Sequence, residues 1–599
     1  MLYQELPTEI GDPIPANTPH AISVNLPTWQ DNIDYEEAHE RVISRMSNGY
    51  PRFFIHNQIK KLMSICEQKF AKETESCLLF PNHSTAHRCR IYIRQYYLSE
   101  KFVSPVCIRL AELTVVPLDE NISTSFHESV TLHVVLFPKD AFPIAKSFWQ
   151  HTGVGISSRL AEYALGLMQA KQDEQYTKIP TKRRSSFKIR YCNPQISSPK
   201  RISPTDITFS EHSEKVEENC YVEERYGRNL PILFANKAKI ALKRRIAGVL
   251  GIEKNGDNLD EVISRPIDTN ERGVNGITEN DVYLFPTGMS SIFHAHQLLL
   301  EAFQPKKSIC FGFPYIDTLK ILEKFGPGCH FFGNGSSEDI DTIENLLMSG
   351  EQILALFCEF PSNPLCKSAD LKRLRELADK YNFSIVIDET IGNFINVEVL
   401  KWADIMVSSL SKIFSGDSNV MGGSMVLNPQ RRYYDTLKKV IEIEYEDLLW
   451  GEDAIVLERN SRTFRERILK INENTEEIYE LLRKNPKVKK IYYPKQITSE
   501  IYLQYKRSQG GYGGLFSITF HSNLASQQFF DALPIAKGPS LGTNFTLACP
   551  YTILAHYLEL DWASKYGVES GLVRVSVGLE DKEILLKAFQ KALDSISDE

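Results

Sequence analysis

The strongest constraint on the fold is an alternation of short apolar runs and helical patterns between residues 281 and 427. The runs have the length and the β-branched and aromatic content of strands. They are Asp281–Phe285, Ser308–Phe313, Gln352–Glu359, Ser384–Asp388, Ile405–Ser409 and Gly423–Leu427. Helical patterns separate them, notably Ser290–Phe303 and Ser368–Tyr381. Such alternation is typical of an α/β layer with a mainly parallel sheet.

The alternating region lies inside a longer chain that divides into four parts. Residues 171–216 are rich in Ser, Pro and charge, which predicts a polar linker. Residues 1–170 contain strand-like and helical runs, so we expect an extra N-terminal α+β domain of unknown role. Residues 217–428 form the predicted large domain. Residues 429–599, with long charged helices and two strand-like runs, form a smaller predicted C-terminal α+β domain.

Composition excludes several classes of function. The chain of 599 residues has a formal net charge of −7, so it has no overall attraction to nucleic acid. It has no apolar run long enough for a membrane span. Its 11 cysteines form no Cys-x-x-Cys pair, and its acidic N-terminus resembles neither a signal nor a transit peptide. We therefore expect a cytoplasmic protein, while the basic cluster Lys182-Arg183-Arg184 leaves a nuclear location open.

Polar residues suited to one cofactor follow three of the predicted strands, where ligands of open parallel sheets bind. They are Asp388, then Ser409, Ser411 and Lys412, and Thr287-Gly288-Met289 at the start of a helix. A lysine amine forms an imine with the aldehyde of pyridoxal phosphate, and a carboxylate keeps the ring nitrogen protonated. A helix N-terminus opened by glycine binds the phosphate. The sequence therefore predicts a pyridoxal-phosphate site in which Lys412 carries the cofactor.

A series of short motifs follows in order between about residue 217 and residue 596. They are Tyr226-Gly227-Arg228, Thr287-Gly288-Met289, Tyr315-Ile316-Asp317-Thr318, Glu359-Phe360-Pro361-Ser362-Asn363-Pro364, Asp388-Glu389-Thr390, Ser409-Leu410-Ser411-Lys412, Gly513-Gly514, Ser540-Leu541-Gly542 and Arg574-Val575-Ser576-Val577-Gly578-Leu579-Glu580. This series resembles the Cys/Met-metabolism, or trans-sulfuration, family of pyridoxal-phosphate enzymes. The N-terminal segments Thr18-Pro19-His20-Ala21 and Leu26-Pro27-Thr28-Trp29 resemble the long fungal members. The resemblance implies fold type I of the PLP-dependent transferases, an α/β fold with a mainly parallel, seven-stranded type of sheet.

The resemblance also implies a role for each site residue. The expected catalytic residues are Lys412, which moves protons, Tyr315, which stacks on the cofactor ring, and Asp388, which pairs with the ring nitrogen. The expected phosphate ligands are Gly288, Met289, Ser409 and Ser411, with Tyr226 and Arg228 reaching the phosphate of a neighbouring subunit. The expected substrate ligands are Arg574, Asn363 and Ser540, because a guanidinium binds a carboxylate through two parallel hydrogen bonds. A shared site implies a homodimer or a homotetramer.

The implied reaction is a γ-replacement on an O-acylhomoserine. With cysteine as the thiol the product is cystathionine, and the fungal type of N-terminal segment favours this reaction. Two alternatives stay open. An O-acetylhomoserine sulfhydrylase would make homocysteine from sulfide and would differ in the pocket near Tyr315 and Pro539. A regulatory relative would bind without turnover, but the retention of Lys412, Asp388 and Arg574 argues against it.

Two features outside these motifs allow more than one reading. Tyr50-Pro51-Arg52 followed by Leu78-Leu79-Phe80-Pro81 echoes Tyr226-Gly227-Arg228 followed by Tyr283-Leu284-Phe285-Pro286. The echo is either a partial copy of the start of the α/β domain or a chance similarity. His83, His87 and Cys89 have a metal-like spacing without an evident fourth ligand, so we expect a packed cluster and no metal site.

Overall fold

The structure is a computed structural model, and it describes residues 9–51, 53–101, 107–117, 128–177, 234–249 and 272–597. Most of the predicted linker lies outside these ranges, and so do Tyr226 and Arg228. The boundaries predicted for the four parts of the chain therefore stay predictions. Among the described residues, no helix combines the length and the apolar character that a membrane crossing requires.

The N-terminal unit, residues 9–177, contains both strands and helices, as predicted. Its elements are β1 (Pro13–Ile14), β2 (Ser23–Val24), α1 (Trp29–Glu36), α2 (Glu40–Ile43), α3 (Asn57–Phe70), β3 (Glu75–Phe80), α4 (His83–Lys101), β4 (Arg109–Val115), β5 (Val130–Pro138), α5 (Phe142–Thr152) and α6 (Ser158–Thr177). Strands β3, β5 and β4 form an antiparallel sheet in that order, and β1 pairs with β2.

The large domain is built on a sheet of seven strands. They are β6 (Val282–Phe285), β7 (Ser308–Phe311), β8 (Cys329–Phe332), β9 (Ala355–Glu359), β10 (Ser384–Asp388), β11 (Ile405–Ser409) and β12 (Gly423–Leu427). Their order is β6-β12-β11-β10-β9-β7-β8, and only β12 runs against the other six. The predicted mainly parallel sheet and the fold class are confirmed.

Helices cover both faces of this sheet. They include α7 (Ala235–Arg244), α8 (Gly288–Ala302), α9 (Ile316–Lys324), α10 (Ser337–Met348), α11 (Leu371–Tyr381) and α12 (Asn393–Asn396). Successive residues of a strand face opposite sides, so Ile385 and Ile387 pack into one core while Val386 packs into the other. Burial on both faces explains why these strands read as continuous apolar runs in the sequence.

The C-terminal domain adds a second, mixed sheet. Its elements are α13 (Tyr434–Glu444), α14 (Gly451–Ser461), α15 (Phe464–Leu482), β13 (Val488–Tyr492), α16 (Ser499–Tyr505), β14 (Leu515–Phe520), α17 (Asn523–Ala532), β15 (Ala536–Lys537), β16 (Leu547–Pro550), α18 (Tyr551–His556), α19 (Leu560–Ser564), β17 (Val573–Ser576) and α20 (Lys582–Asp594). The strand order is β13-β14-β17-β16-β15, and only β15 and β16 are parallel neighbours. The predicted α+β character is confirmed.

The N-terminal unit shares a core with the large domain. Tyr92 on α4 stacks on Phe325 beyond α9 with ring centroids 5.2 Å apart, and Phe148 on α5 lies 6.0 Å from the same ring. A buried ion pair joins Arg159 on α6 to Asp453 on α14, with Nη1 and Oδ1 3.1 Å apart. Apolar burial and a buried ion pair therefore hold the N-terminal unit against the large domain and α14.

Candidate active site

A cavity of about 700 Å³ lies where the N-terminal unit, the large domain and the C-terminal domain meet. Its floor is the carboxyl edge of the large sheet, because Asp388 ends β10 and Ser409 ends β11. Arg574 on β17 faces the cavity from the C-terminal sheet, and Tyr50 faces it from the N-terminal unit. Residues of the N-terminal unit, the large domain and the C-terminal domain therefore line one cavity.

Lys412 lies in the turn that follows β11, and its side chain is buried at the cavity wall. Its Nζ atom donates hydrogen bonds of 3.0 Å to Ser540 Oγ and of 3.0 Å to Tyr50 Oη. A lysine amine fixed by two acceptors beside a cavity is placed to react with a carbonyl compound or to move protons.

The N-terminus of α8 lies at the same cavity, which Thr287, Gly288 and Met289 line. Thr287 caps the helix, since its Oγ1 accepts a 3.0 Å hydrogen bond from Ser290 N–H. The first N–H groups of any helix, here those of Gly288 and Met289, have no partner within the helix. A Cβ on Gly288 would lie 2.6 Å from Ser409 Cβ, so only glycine lets α8 approach the end of β11 this closely. This arrangement favours an anion such as phosphate.

Two carboxylates lie side by side at the sheet edge, because the partly buried Asp388 and the buried Glu359 are register partners on β10 and β9. Burial raises the pKa of Glu359, and the neighbouring charge of Asp388 raises it further. Burial also raises the pKa of Asp388, against the hydrogen bond of 2.8 Å that its Oδ1 accepts from Thr390 N–H. No ion pair joins Asp388 within the described ranges. A bound cation would therefore be stabilised here.

Glu359 also positions two neighbours. Its Oε1 accepts a 2.6 Å hydrogen bond from Tyr315 N–H, and its Oε2 accepts one of 2.8 Å from Asn363 N–H. Tyr315 is the N-cap residue of α9, and both it and Asn363 line the cavity. The motif around Glu359 was recognised in the sequence, but its clamping of Tyr315 and Asn363 was not predicted.

Arg574 is buried at the opposite wall and is held in one orientation. Its Nη1 donates to Asn363 Oδ1 at 3.2 Å, and its Nη2 donates to the carbonyl oxygens of Pro539 and Ser540, each at 2.9 Å. The guanidinium also lies 4.9 Å from the ring centroid of Tyr551. A buried guanidinium fixed in this way is pre-organised for a substrate carboxylate.

The structure brings together the predicted site residues that it describes. The cavity is lined by Lys412, Tyr315, Asp388, Gly288, Met289, Ser409, Ser411, Asn363 and Arg574, and Ser540 contacts Lys412 directly. The hydroxyl of Ser411 is engaged with Gly422, which donates its N–H at 3.0 Å. The predicted roles of all these residues stay predictions.

The sequence did not predict that the N-terminal unit lines the cavity. Tyr50, Phe53, Lys60 and Lys146 belong to this wall. Packing of protein around Lys146 lowers the pKa of its amine, and the nearby charge of Glu36 raises it. The echo of Tyr226 at Tyr50 was the one signal in the sequence that pointed to this contribution.

The histidines with metal-like spacing pack against each other. The rings of His83 and His87 stack with centroids 6.1 Å apart. Cys89 is fully buried in the apolar core, and burial raises the pKa of its thiol. A buried thiol of raised pKa behaves as a small apolar side chain.

Comparison with known proteins identifies the family. The family described as "Cys/Met metabolism PLP-dependent enzyme" matches residues 271–594, and "Fungal trans-sulfuration enzyme, N-terminal domain" matches residues 58–157. This chain belongs to the Cys/Met metabolism family of PLP-dependent enzymes. It is similar to cystathionine gamma-synthase of Neurospora crassa, at 44% identity over 98% of each chain. The corresponding enzyme of Saccharomyces cerevisiae is 42% identical, again over 98% of each chain.

The full-length architecture is shared with relatives of another stated activity. An alanine racemase of Aspergillus violaceofuscus is 31% identical over 98% of this chain and 96% of its own. A solved cystathionine gamma synthase from Xanthomonas oryzae aligns with a TM-score of 0.47 at 24% identity, over 54% of this chain and 83% of that one. Because relatives of this length include a racemase, the reaction itself has to be argued from the site.

The residues of this member of the family fit its cofactor, pyridoxal phosphate. Lys412 would hold the aldehyde carbon, and the start of α8 would hold the phosphate. The carboxylate of Asp388 lines the cavity, is partly buried and has no ion-pair partner among the described residues, so it fits the protonated ring nitrogen. These residues therefore match the aldehyde, the phosphate and the ring nitrogen of the cofactor.

Proposed function

We propose that the protein catalyses γ-replacement on an O-acylhomoserine with L-cysteine, giving cystathionine. The observation that carries this proposal is the placement of Lys412 and Arg574 on one cavity whose outer wall bears charged side chains. The inner part suits an amino acid with a carboxylate, and the outer part suits a second charged molecule. The similarity to full-length cystathionine gamma-synthases supports the same reaction.

Each residue has a defined task in this reaction. Bound pyridoxal phosphate supplies an electron sink that stabilises negative charge on the substrate carbon. Arg574 binds the substrate carboxylate, and Asn363 and the carbonyl oxygen of Ser540 hold its guanidinium in place. Lys412 Nζ takes a proton from Cα, and a second proton leaves Cβ. The acyloxy group then leaves Cγ as a free carboxylate, the thiol loses its proton as its sulfur bonds to Cγ, and protons return to Cβ and Cα.

The size and charge of the cavity favour cysteine over sulfide as the thiol. Sulfide needs little space and no charged partner, whereas cysteine brings an ammonium and a carboxylate. Lys146 and Glu36 line the outer wall together with Lys60. These side chains offer opposite charges to the two ends of the cysteine zwitterion. We therefore place the homocysteine-forming reaction with sulfide as the second candidate.

A product assay separates the two reactions. Purified protein with pyridoxal phosphate is given O-acetyl- or O-succinylhomoserine, each with cysteine or with sulfide, and the products are identified by mass spectrometry. We expect cystathionine from cysteine at a higher kcat/KM than homocysteine from sulfide. Homocysteine as the main product would show that the protein is an O-acetylhomoserine sulfhydrylase. Lys412→Ala, expected to lose at least about a thousandfold in kcat, tests the site in the same assay.

The outer wall gives a second test of the thiol. Lys146→Met should raise the KM for cysteine by about tenfold, because one charge-assisted contact is lost, and should leave turnover with sulfide unchanged. Lys139→Met is the matched control, since Lys139 is exposed next to α5 and outside the cavity. Equal losses with both thiols would argue against cysteine binding at this wall.

The proposed enzyme works in the cytoplasm as a homodimer or homotetramer. The prediction that Tyr226 and Arg228 reach a neighbouring subunit is the reason for proposing an assembly. Both residues lie outside the described ranges. Native mass spectrometry of the purified protein measures the number of subunits directly.

A further inference from the structure

The N-terminal unit touches the active site at the start of α8. The carbonyl oxygen of Gly153, at the C-terminus of α5, accepts a 3.0 Å hydrogen bond from Thr287 Oγ1. The same Oγ1 caps α8 through Ser290 N–H. Gly153 has a left-handed backbone, with φ of 64°, and a Cβ there would overlap Thr287 Oγ1. The backbone of the unit is thus in direct contact with the helix start that fits a phosphate.

Tyr50 reaches the reacting nitrogen itself. Its hydroxyl accepts a 3.0 Å hydrogen bond from Lys412 Nζ, and its ring centroid lies 4.6 Å from that nitrogen. Ser540 Oγ accepts the other 3.0 Å hydrogen bond. The amine is therefore held between a side chain of the N-terminal unit and one of the C-terminal domain.

The surroundings of Tyr50 repeat those of the large domain. Tyr50 is followed by helix α3 and then by a strand, a proline and a second helix, which are β3, Pro81 and α4. Tyr226 precedes the same order in the sequence, with β6, Pro286 and α8. Whether the echo is a partial copy or a chance similarity stays open.

We propose that the N-terminal unit completes the active site of its own chain, with Tyr50 as the residue that positions Lys412 Nζ. The proposal rests on the proposed function, because it gives Tyr50 a part in the same proton transfers. Tyr50 holds the amine while Nζ carries the proton taken from the substrate Cα. The proton later returns from Nζ to the substrate, so no oxidant, reductant or further reactant is needed. Each chain then supplies the Tyr50 that contacts its own Lys412.

Isotope-labelled cross-linking tests whether the unit serves its own chain. Lys324 Nζ on α9 lies 3.3 Å from Ser147 Oγ on α5, and Lys146 precedes Ser147 in the sequence, so we expect a bifunctional amine reagent to join Lys324 to Lys146. Wild-type chains grown in normal and in heavy nitrogen are unfolded, mixed and refolded, and native mass spectrometry verifies that mixed oligomers form. We expect joined peptides that are both light or both heavy. Mixed pairs in the proportion of random pairing would overturn the proposal. A monomer that retains full activity would support it.

The readout of this experiment does not depend on turnover. If the cross-links stay within chains but the product assay fails, the proposed function is wrong and the placement of the unit stands. If the product assay succeeds and the cross-links are mixed, the proposed function stands and this inference is wrong. The two failures are therefore distinguishable.

Hybrid enzymes test the part of Tyr50 in the reaction. Tyr50→Phe should lower kcat about tenfold and change KM by less than about twofold, because one hydrogen bond to a charged amine is lost while substrate binding at Arg574 is intact. Tyr35→Phe, on the same cavity wall, is the matched control. Co-expression with the Lys412→Ala chain under two tags should give a hybrid with half the activity of Tyr50→Phe. Half the wild-type activity in the hybrid, or an unchanged kcat in Tyr50→Phe, would contradict the proposal.

Discussion

At the residue scale, the neighbouring carboxylates of Glu359 on β9 and Asp388 on β10 both have raised pKa values. Glu359 uses both of its oxygens to fix Tyr315 and Asn363, so it cannot be replaced without moving two cavity residues. The carboxylate of Asp388 accepts a hydrogen bond from Thr390 N–H and has no ion-pair partner among the described residues. The charge on Asp388 is therefore a cost to the fold that binding of a cation would offset.

This arrangement predicts that replacing Asp388 by asparagine has opposite effects on the stability of the fold and on cofactor binding. Burial raises the pKa of Asp388, so the contribution of this group to stability is present below its ordinary pKa and is lost as the pH rises through the raised value. Asp388→Asn should therefore stabilise the cofactor-free protein at pH 8, by about 1–3 kcal/mol, with little effect near pH 4. The same variant should bind pyridoxal phosphate weakly. Thermal melting at several pH values and titration of the visible cofactor band measure the two effects.

The control for this prediction is another aspartate. Asp404 pairs with Arg375 at 2.7 Å and accepts a 2.7 Å hydrogen bond from Ile385 N–H. Asp404→Asn should lower the melting temperature at each pH, because it removes the partner of a buried guanidinium. An Asp388→Asn variant that melts earlier than wild type at pH 8 would show that the carboxylate is stabilised in the fold.

The site residues that the sequence predicted share one property. Asp388, Ser409 and Lys412 lie at or just beyond the carboxyl end of a strand, and the rule for ligands of parallel sheets applies to each without knowledge of distant contacts. Tyr50 could not be found in this way. It lies 362 positions from Lys412 in the sequence, and only tertiary packing brings the two together. The short motif that contains Tyr50 could be recognised in the sequence. Its position next to Lys412 could not be predicted, because a motif of three residues does not determine its tertiary contacts.

At the scale of elements, strand prediction succeeded where burial was two-sided. Strands β10, β11 and β12 have the bounds expected from their apolar runs. No strand was predicted at β8, Cys329–Phe332, whose residues are all partly exposed at the edge of the sheet. Four residues of this kind give neither an apolar run nor a clear alternation, so the pattern that marks central strands was absent.

The junction of α5 and α8 is the element contact on which cofactor binding should depend most. Gly153→Ala adds a Cβ that overlaps Thr287 Oγ1 and also forces alanine into a left-handed conformation. We expect a loss of about 2–4 kcal/mol in the free energy of unfolding, together with weaker binding of pyridoxal phosphate. Urea denaturation and cofactor titration measure the two losses.

A matched glycine separates the clash from the backbone effect. Gly276 also has a positive φ, of 81°, but it is exposed and a Cβ there would meet nothing within 4 Å. Gly276→Ala should therefore lose about 1 kcal/mol and bind the cofactor normally. Equal effects of the two substitutions would mean that the contact with Thr287 does not matter for the site.

At the scale of the whole molecule, the N-terminal unit is part of the catalytic body. Its rings pack on Phe325, its backbone contacts Thr287, and Trp29 of α1 lies 6.0 Å from Phe530 of the C-terminal domain. The α+β character of this unit could be predicted from its periodicity. The packing of this unit against the other domains could not be predicted. Its contacting apolar residues cannot be told apart, in the sequence, from residues that belong to the core of a separate domain.

The shared core leads to a prediction about cutting the chain. A protease site inserted within residues 180–210, in the predicted linker, should allow the purified protein to be cleaved into two fragments. We expect the fragments to stay associated and to keep activity within about twofold, because the apolar cluster and the buried ion pair of Arg159 with Asp453 hold them without the covalent connection. Size-exclusion chromatography and the product assay are compared with the uncut protein that carries the same insertion. Fragments that separate without denaturant, with loss of activity, would show that the connecting segment and not the shared core keeps the unit at the active site.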